Sequence, residues 1–235
     1  MRTDRFGSDA RAPLAACACL AALALLAACG GGDGASRTKV YDGAEGADGA
    51  EVKRGVKPEP DAEAAVLEVE SAGVPYGRIV IELYPNVAPK AVERFKRLVR
   101  EGFYDGTAFH RINQRLGVVQ GGDPNSKDED PSNDGMGGSP YGEVPAEFSD
   151  IPFERGTVGA ARGPDVNSAN SQFYITLRRV PQWDAQYTVF GKVVDGMSNA
   201  QVIAGAPTRP APQTESPAEK IVIKSATLQP RANFK

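Results

Sequence analysis

Between Phe109 and Pro124 the chain reads FHRINQRLGVVQGGDP. Two arginines, Arg111 and Arg115, and a glutamine, Gln120, surround a short apolar run from Leu116 to Val119. The stretch holds no thiol, no hydroxyl nucleophile and no pair of carboxylates, so neither nucleophilic attack nor two-carboxylate acid–base chemistry is on offer. What it does offer is a donor that stays protonated at any ordinary pH, set beside a surface that excludes water. His110 is the sole histidine of the chain and invites a general-base reading. Adjacent strand residues point to opposite faces, however, so His110 should turn away from Arg111 and pack.

The elements that must position these residues read mostly as strands. Ala65–Ser71 and Gly77–Tyr84 alternate and are rich in β-branched residues, and Gly73 and Pro75 between them predict a hairpin. Pro89 opens a helix that carries Val92, Phe95, Leu98 and Val99 on one face and stops at Gly102. Further strands are predicted at Ala108–Ile112, Val118–Gly121, Gly156–Ala161, Gln172–Leu177, Thr188–Val194 and Lys220–Leu228, with a short helix around Ser198–Ile203. Many strands and two helices suggest a mainly β fold, a closed barrel with helical caps, because closure removes exposed edges.

Four segments then fall in one order. They are FHRI with QGGDP after a gap of seven residues, GTVGAAR, NSANSQFYITL (Asn167–Leu177), and YTVFGKVVDGM (Tyr187–Met197). In order and spacing the chain resembles the cyclophilins from Ala65 to Leu228. The resemblance implies an eight-stranded antiparallel barrel capped by two helices, and peptidyl-prolyl cis-trans isomerisation as the activity. That reaction suits the opening stretch. Rotation about a peptide bond faces a barrier of about 18–20 kcal/mol, and exchange at X-Pro bonds takes tens of seconds or more. No bond is made or broken, so no nucleophile is needed. Halfway through rotation the amide loses resonance and its nitrogen becomes pyramidal and able to accept a hydrogen bond. A donor aimed there binds the twisted state better than either planar one.

By the resemblance, Arg111 matches the family's catalytic arginine and Gln120 its active-site glutamine. The pocket departs from the family pattern, with one extra residue between Arg111 and Gln120. Where an aromatic and a methionine usually floor the proline pocket, this chain has Leu116, Gly117, Val118 and Val119. Counted back from Gln120, Val118 takes the methionine place and Gly117 the aromatic place, with Leu116 as the alternative occupant. Tyr174 stands where phenylalanine is usual. Ala161 and Arg162 fall on the strand-edge positions that hold the peptide backbone. Trp183 matches a leucine-like wall, and Tyr187 sits where many members have histidine. Because Trp183 and Tyr187 lie in a polar loop, they are expected at the groove, while Phe109, Phe173 and Phe190 read as core.

Pro124–Glu143 is acidic, and Asp130, Ser132, Asp134 and Gly135 fit the first half of a calcium-loop pattern. The twelfth position is Tyr141 instead of glutamate, so a solvated insertion rimming the groove is the better reading and no metal is expected. No cofactor motif is present. A formal charge of −3 without a dense basic patch argues against nucleic acid as a partner.

The chain opens with a basic segment followed by an apolar run from Ala12 to Cys29, the pattern of an export signal. Leu26-Ala27-Ala28-Cys29 resembles the lipobox of bacterial lipoproteins, in which the cysteine is diacylated after cleavage. Leu14-Ala15-Ala16-Cys17 has the same letters but precedes most of the apolar run. The three cysteines are Cys17, Cys19 and Cys29, so cleavage before Cys29 would leave one, carrying lipid, and no disulfide. The expected organisation is a signal peptide over 1–28, a Gly- and acid-rich flexible tether over 29–63, the isomerase domain over 64–230 and a tail over 231–235. A random-coil tether of this kind reaches about 30 Å. The expectation is a monomer held by its lipid in the bacterial cell envelope, acting on proline-containing polypeptides. The alternative is a proline-peptide-binding module or holdase whose altered pocket catalyses weakly or not at all.

Overall fold

The computed structural model describes residues 49–234. The expected signal peptide and Cys29 lie outside the described residues. In chain order the elements are β1 (Val52–Lys53), β2 (Glu63–Ser71), β3 (Val74–Leu83), α1 (Pro89–Arg100), β4 (Arg111–Asn113), β5 (Val118–Gly121), β6 (Phe148–Ser149), β7 (Thr157–Ala160), β8 (Phe173–Thr176), β9 (Val189–Asp195), α2 (Met197–Ala204) and β10 (Ile221–Pro230). Eight strands form one sheet in the order β10-β2-β3-β9-β7-β8-β5-β4, and every neighbouring pair is antiparallel.

The expected closed barrel is met as an eight-stranded half-barrel with two helices, in which β4 and β10 are edge strands and not a pair. The segment before β4 reaches across the opening. Gly106 N–H donates to the Ile223 carbonyl, Ile223 N–H to Thr107 and Phe109 N–H to Ile221, each at 2.8 Å. Thr107 and Ala108 are thereby buried without belonging to a strand.

Hydrophobic patterning accounts for the core. Ala65, Leu67 and Val69 of β2 and Ile79, Ile81 and Leu83 of β3 join the buried face of α1, made of Val92, Phe95, Leu98 and Val99. The first turn of α1 contains Pro89, and Ala88 before it has no side chain to cap the helix. A distant residue does so instead: the buried Glu147 carboxylate accepts from Lys90 N–H at 3.2 Å and Ala91 N–H at 3.0 Å. Negative charge at a helix N-terminus satisfies orphan donors and complements the helix dipole.

Two boundaries differ from expectation. The described part of the tether is not free, because Val52 and Lys53 pair in parallel with Phe148 and Ser149. Val52 is buried with Phe148 and Val166, and Asp61 meets Lys96 at 2.7 Å. Two well-placed side chains in a polar segment are enough to dock it, and composition cannot register that. The tail also packs. Ala64, Val66 and Val80 face away from the main core, and Phe234 covers them. Arg231 N–H donates to Ala62 at 2.8 Å, and its guanidinium reaches Glu82 at 3.1 Å.

Candidate active site

The sheet register builds the site. Arg111 of β4 lies opposite Gln120 of β5, Gln120 opposite Tyr174 of β8, and Tyr174 opposite Gly159 of β7. Cross-strand partners share a face, so these four residues form one row across the sheet. Two residues along, Asn113, Val118 and Thr176 make a second row on the same face. The intervening Ile112, Val119, Ile175 and Val158 point the other way, and all four belong to the main core. Burial of one face therefore fixes which side chains the other presents.

Arg111 is about one-third exposed. Its Nη1 donates to Gln120 Oε1 at 3.2 Å, and its Nε donates to Glu215 Oε2 at 2.5 Å. Gln120 Nε2 donates onward to Gln172 Oε1 at 2.9 Å, and Gln172 Nε2 to the Gly137 carbonyl at 2.8 Å. This chain of amides fixes the orientation of Gln120, leaving its oxygen toward the arginine.

Beside this polar row stands an aromatic wall. Tyr174 packs against Trp183 with ring centroids 4.7 Å apart and against Tyr187 at 5.9 Å, and Trp183 meets Tyr187 at 5.3 Å. Phe153, Val180 and Val189 support them from behind. Gly159 leaves room for this arrangement: a Cβ there would lie 2.5 Å from the Tyr174 hydroxyl. That hydroxyl is buried and has no hydrogen-bond partner among the described residues. Burial pushes its pKa well above the ordinary tyrosine value. Arg162 lies over the Tyr187 ring at 4.6 Å and donates to the Gln186, Gly163 and Pro164 carbonyls, which ties two loops together. Ala161 continues the ladder past β7, its N–H donating to Gln172 at 2.9 Å.

Eight of the residues singled out in the sequence, Arg111, Gln120, Val118, Ala161, Arg162, Tyr174, Trp183 and Tyr187, line one groove of about 540 Å³. Leu116 does not line it. It sits in the turn between β4 and β5, where its carbonyl accepts from Arg178 Nε at 3.2 Å. Gly117 next to it has φ +74°, and a Cβ there would come within 2.7 Å of the Arg178 side chain. The left-handed residue turns Leu116 out of the groove, whose apolar lining comes from Val118, the aromatic wall, Ala161 and Pro212.

His110 is buried, as a packing residue should be, yet it borders the groove instead of turning fully from it. Neither ring nitrogen has a partner among the described residues, and burial lowers its pKa, so the ring is neutral near pH 7. Asp134 of the acidic loop also borders the groove. Burial, with Asp123 and Asp128 adding to it, raises its pKa to about 6. Among the described residues no three His, Cys, Asp or Glu side chains are placed to hold a metal ion.

Sequence reasoning missed the loop between α2 and β10, which brings Pro212, Thr214 and Glu215 to the groove. It also missed Asn113, whose Nδ2 donates to the second Glu215 carboxylate oxygen. Gln172 was within reach, since it lies two residues from Tyr174 in a predicted strand and so on the same face.

The family model for "Cyclophilin type peptidyl-prolyl cis-trans isomerase/CLD" matches residues 66–228, well over half of the chain. The chain belongs to the cyclophilin family. A probable peptidyl-prolyl cis-trans isomerase of Brucella suis is 50% identical to this cyclophilin over 125 residues, which cover 52% of the chain and 63% of the relative. The match thus spans somewhat under two thirds of that protein's length. A peptidyl-prolyl cis-trans isomerase of Schizosaccharomyces pombe is 42% identical over 130 residues, 52% of this chain and 76% of the relative. Among solved structures, a cyclophilin-type isomerase of Cryptosporidium parvum, crystallised in the presence of the dipeptide Ala-Pro, superposes with a TM-score of 0.61 at 28% identity. It covers 71% of this cyclophilin and 98% of its own chain.

Proposed function

We propose that this cyclophilin accelerates cis-trans isomerisation of X-Pro bonds in exported polypeptides. The observation that carries the reading is the row Arg111–Gln120–Tyr174, which sets an oriented guanidinium at the lip of an apolar pocket. The proline ring enters over Val118 and against Tyr174 and Trp183, and the backbone beyond it runs along Ala161 and Arg162. Arg111 then donates to the proline nitrogen as it pyramidalises, an acceptor that exists only in the twisted state. The apolar wall displaces the water that otherwise favours the planar, dipolar amide. His110 and Asp134 need not titrate in this step, because the arginine keeps its proton throughout.

One observation favours a second reading, a peptide-binding module: with Leu116 turned away, the floor is smaller than a paired aromatic and methionine would make it. The two separate cleanly in an exchange experiment on an Ala-Pro peptide. Catalytic amounts of the chain should broaden or exchange the cis and trans signals, whereas a binder would shift them without speeding interconversion.

Three further points belong to the same reading. Residues 106–109, bonded along β10, close the half-barrel into a barrel. The enzyme acts as a monomer in this reading. Cys29 is lipidated and holds the domain at a membrane facing the periplasm or the exterior, where unfolded exported chains are its substrates.

A further inference from the structure

We propose that Glu215 is a positioning residue for Arg111, delivered by the loop between α2 and β10 to fix the plane of the guanidinium. The inference rests on the isomerase reading and adds a component to it. A guanidinium has five N–H donors in one plane, and aiming them requires acceptors on more than one edge. Arg111 has two, on different nitrogens. Glu215 Oε2 takes the Nε–H at 2.5 Å, and Gln120 Oε1 takes an Nη1 hydrogen at 3.2 Å. Together they stop rotation about the last side-chain bonds and leave the other Nη hydrogens for the substrate.

Glu215 is itself held. Asn113 Nδ2 donates to its other carboxylate oxygen, and Ile112 N–H donates to its backbone carbonyl at 2.6 Å. Because β4 is an edge strand, the Ile112 N–H has no strand partner, and the loop supplies the missing acceptor. The loop is pinned at its base, with Arg209 N–H donating to Ser216 and Ala218 N–H to Pro207, both at 2.8 Å. So the carboxylate arrives on a supported backbone and not on a swinging arm.

Stability alone does not account for the pair. The side chains are 36% and 42% exposed, and ion pairs so exposed contribute little to folding. Orientation is a different matter, since a donor displaced by an ångström can cost a hundredfold in rate.

The test compares wild type, Glu215→Gln, Glu215→Ala, Arg111→Ala and the double variant Arg111→Ala/Glu215→Ala in the full-length chain. Exchange NMR on an Ala-Pro peptide gives kcat and KM separately, and thermal melting monitors folding. Glu215→Ala should lower kcat by about tenfold or more with KM within about twofold. Glu215→Gln should recover part of the loss, as it keeps an acceptor for Nε. In the Arg111→Ala background, losing Glu215 should change nothing further, which a merely structural role would not predict. If Glu215→Ala fails to fold, Glu215→Gln and the Arg111 Nε–H signal decide: the signal should be sharp and slowly exchanging in wild type and weakened in the variant. Unchanged kcat in an active, Arg111-dependent enzyme would overturn this inference alone. So would a rise in kcat/KM, because the carboxylate would then be competing with substrate for Arg111. A wild type with no isomerase activity removes the isomerase reading, and this inference with it.

Discussion

Arg111 meets two acceptors in the folded chain, and in the proposed reaction that is what would separate a catalytic donor from a surface arginine. Reorganisation that a flexible side chain would undergo during the reaction has already happened in the folded chain. The neighbouring titratable groups make a separate statement about stability. Asp134 has its pKa raised from 3.8 to about 6, chiefly by burial, with Asp123 and Asp128 adding and Lys220 and Arg209 opposing. A raised carboxyl binds its proton more tightly in the folded state. Its favourable contribution is therefore complete below the unfolded value and is lost as pH rises through about 6. His110 works in the opposite direction: its lowered pKa gives stability that is present above 6.5 and lost as pH falls. Asp134→Asn isolates the first term, since His110 is common to both proteins. Relative to Asp134→Asn, wild type should lose about 1 kcal/mol between pH 4 and pH 7.5, a figure discounted for the partial exposure of the side chain. Urea midpoints at the two pH values measure it. An unchanged difference between the proteins would show that the carboxylate is solvated in both states.

At the scale of elements, the turn between β4 and β5 decides the shape of the pocket. Gly117 takes φ +74°, and the Arg178 side chain fills the space beside it. Gly117→Ala should cost about 1–3 kcal/mol, because it adds backbone strain and displaces Arg178. Denaturant unfolding tests this, and a neutral substitution would mean that the turn can relax. For the same reason an aromatic placed at 117 will not restore a pocket floor. The row that makes the site was legible in the sequence. The resemblance named Arg111, Gln120 and Tyr174, and the pairing of β4, β5 and β8 brings them into one row; Val119, named there with the pocket floor, points to the core instead, beside Ile175. Both helices also lie within a residue or two of their predicted limits. The illegible parts depend on contacts between distant segments. Glu215 lies in a Pro-rich loop without periodicity and meets Arg111 across 104 positions, and Glu147 caps α1 from 56 or 57 positions away. Leu116 failed for a local reason, since a glycine in the left-handed region turns the chain by an amount that counting residues cannot supply.

At the scale of the whole molecule, the described body includes more of the chain than the sequence suggested, from the docked strand β1 to Phe234 over β2 and β3. The part of the tether before residue 49 lies outside the described residues, as does Cys29. If Cys29 carries the anchor, Cys29→Ser should leave an unprocessed precursor, and the wild-type protein should need detergent for release, because two acyl chains hold stably where one does not. Wild-type protein released by osmotic shock alone would argue for secretion without lipid. The central claim is more exposed still to a single comparison: kcat/KM for an Ala-Pro peptide with wild type and Arg111→Ala, matched for folding by circular dichroism. Removing one oriented donor from a water-poor site should cost about 2–4 kcal/mol of transition-state stabilisation, a fall of roughly thirtyfold to a thousandfold. Equal turnover by the two folded proteins would contradict the account.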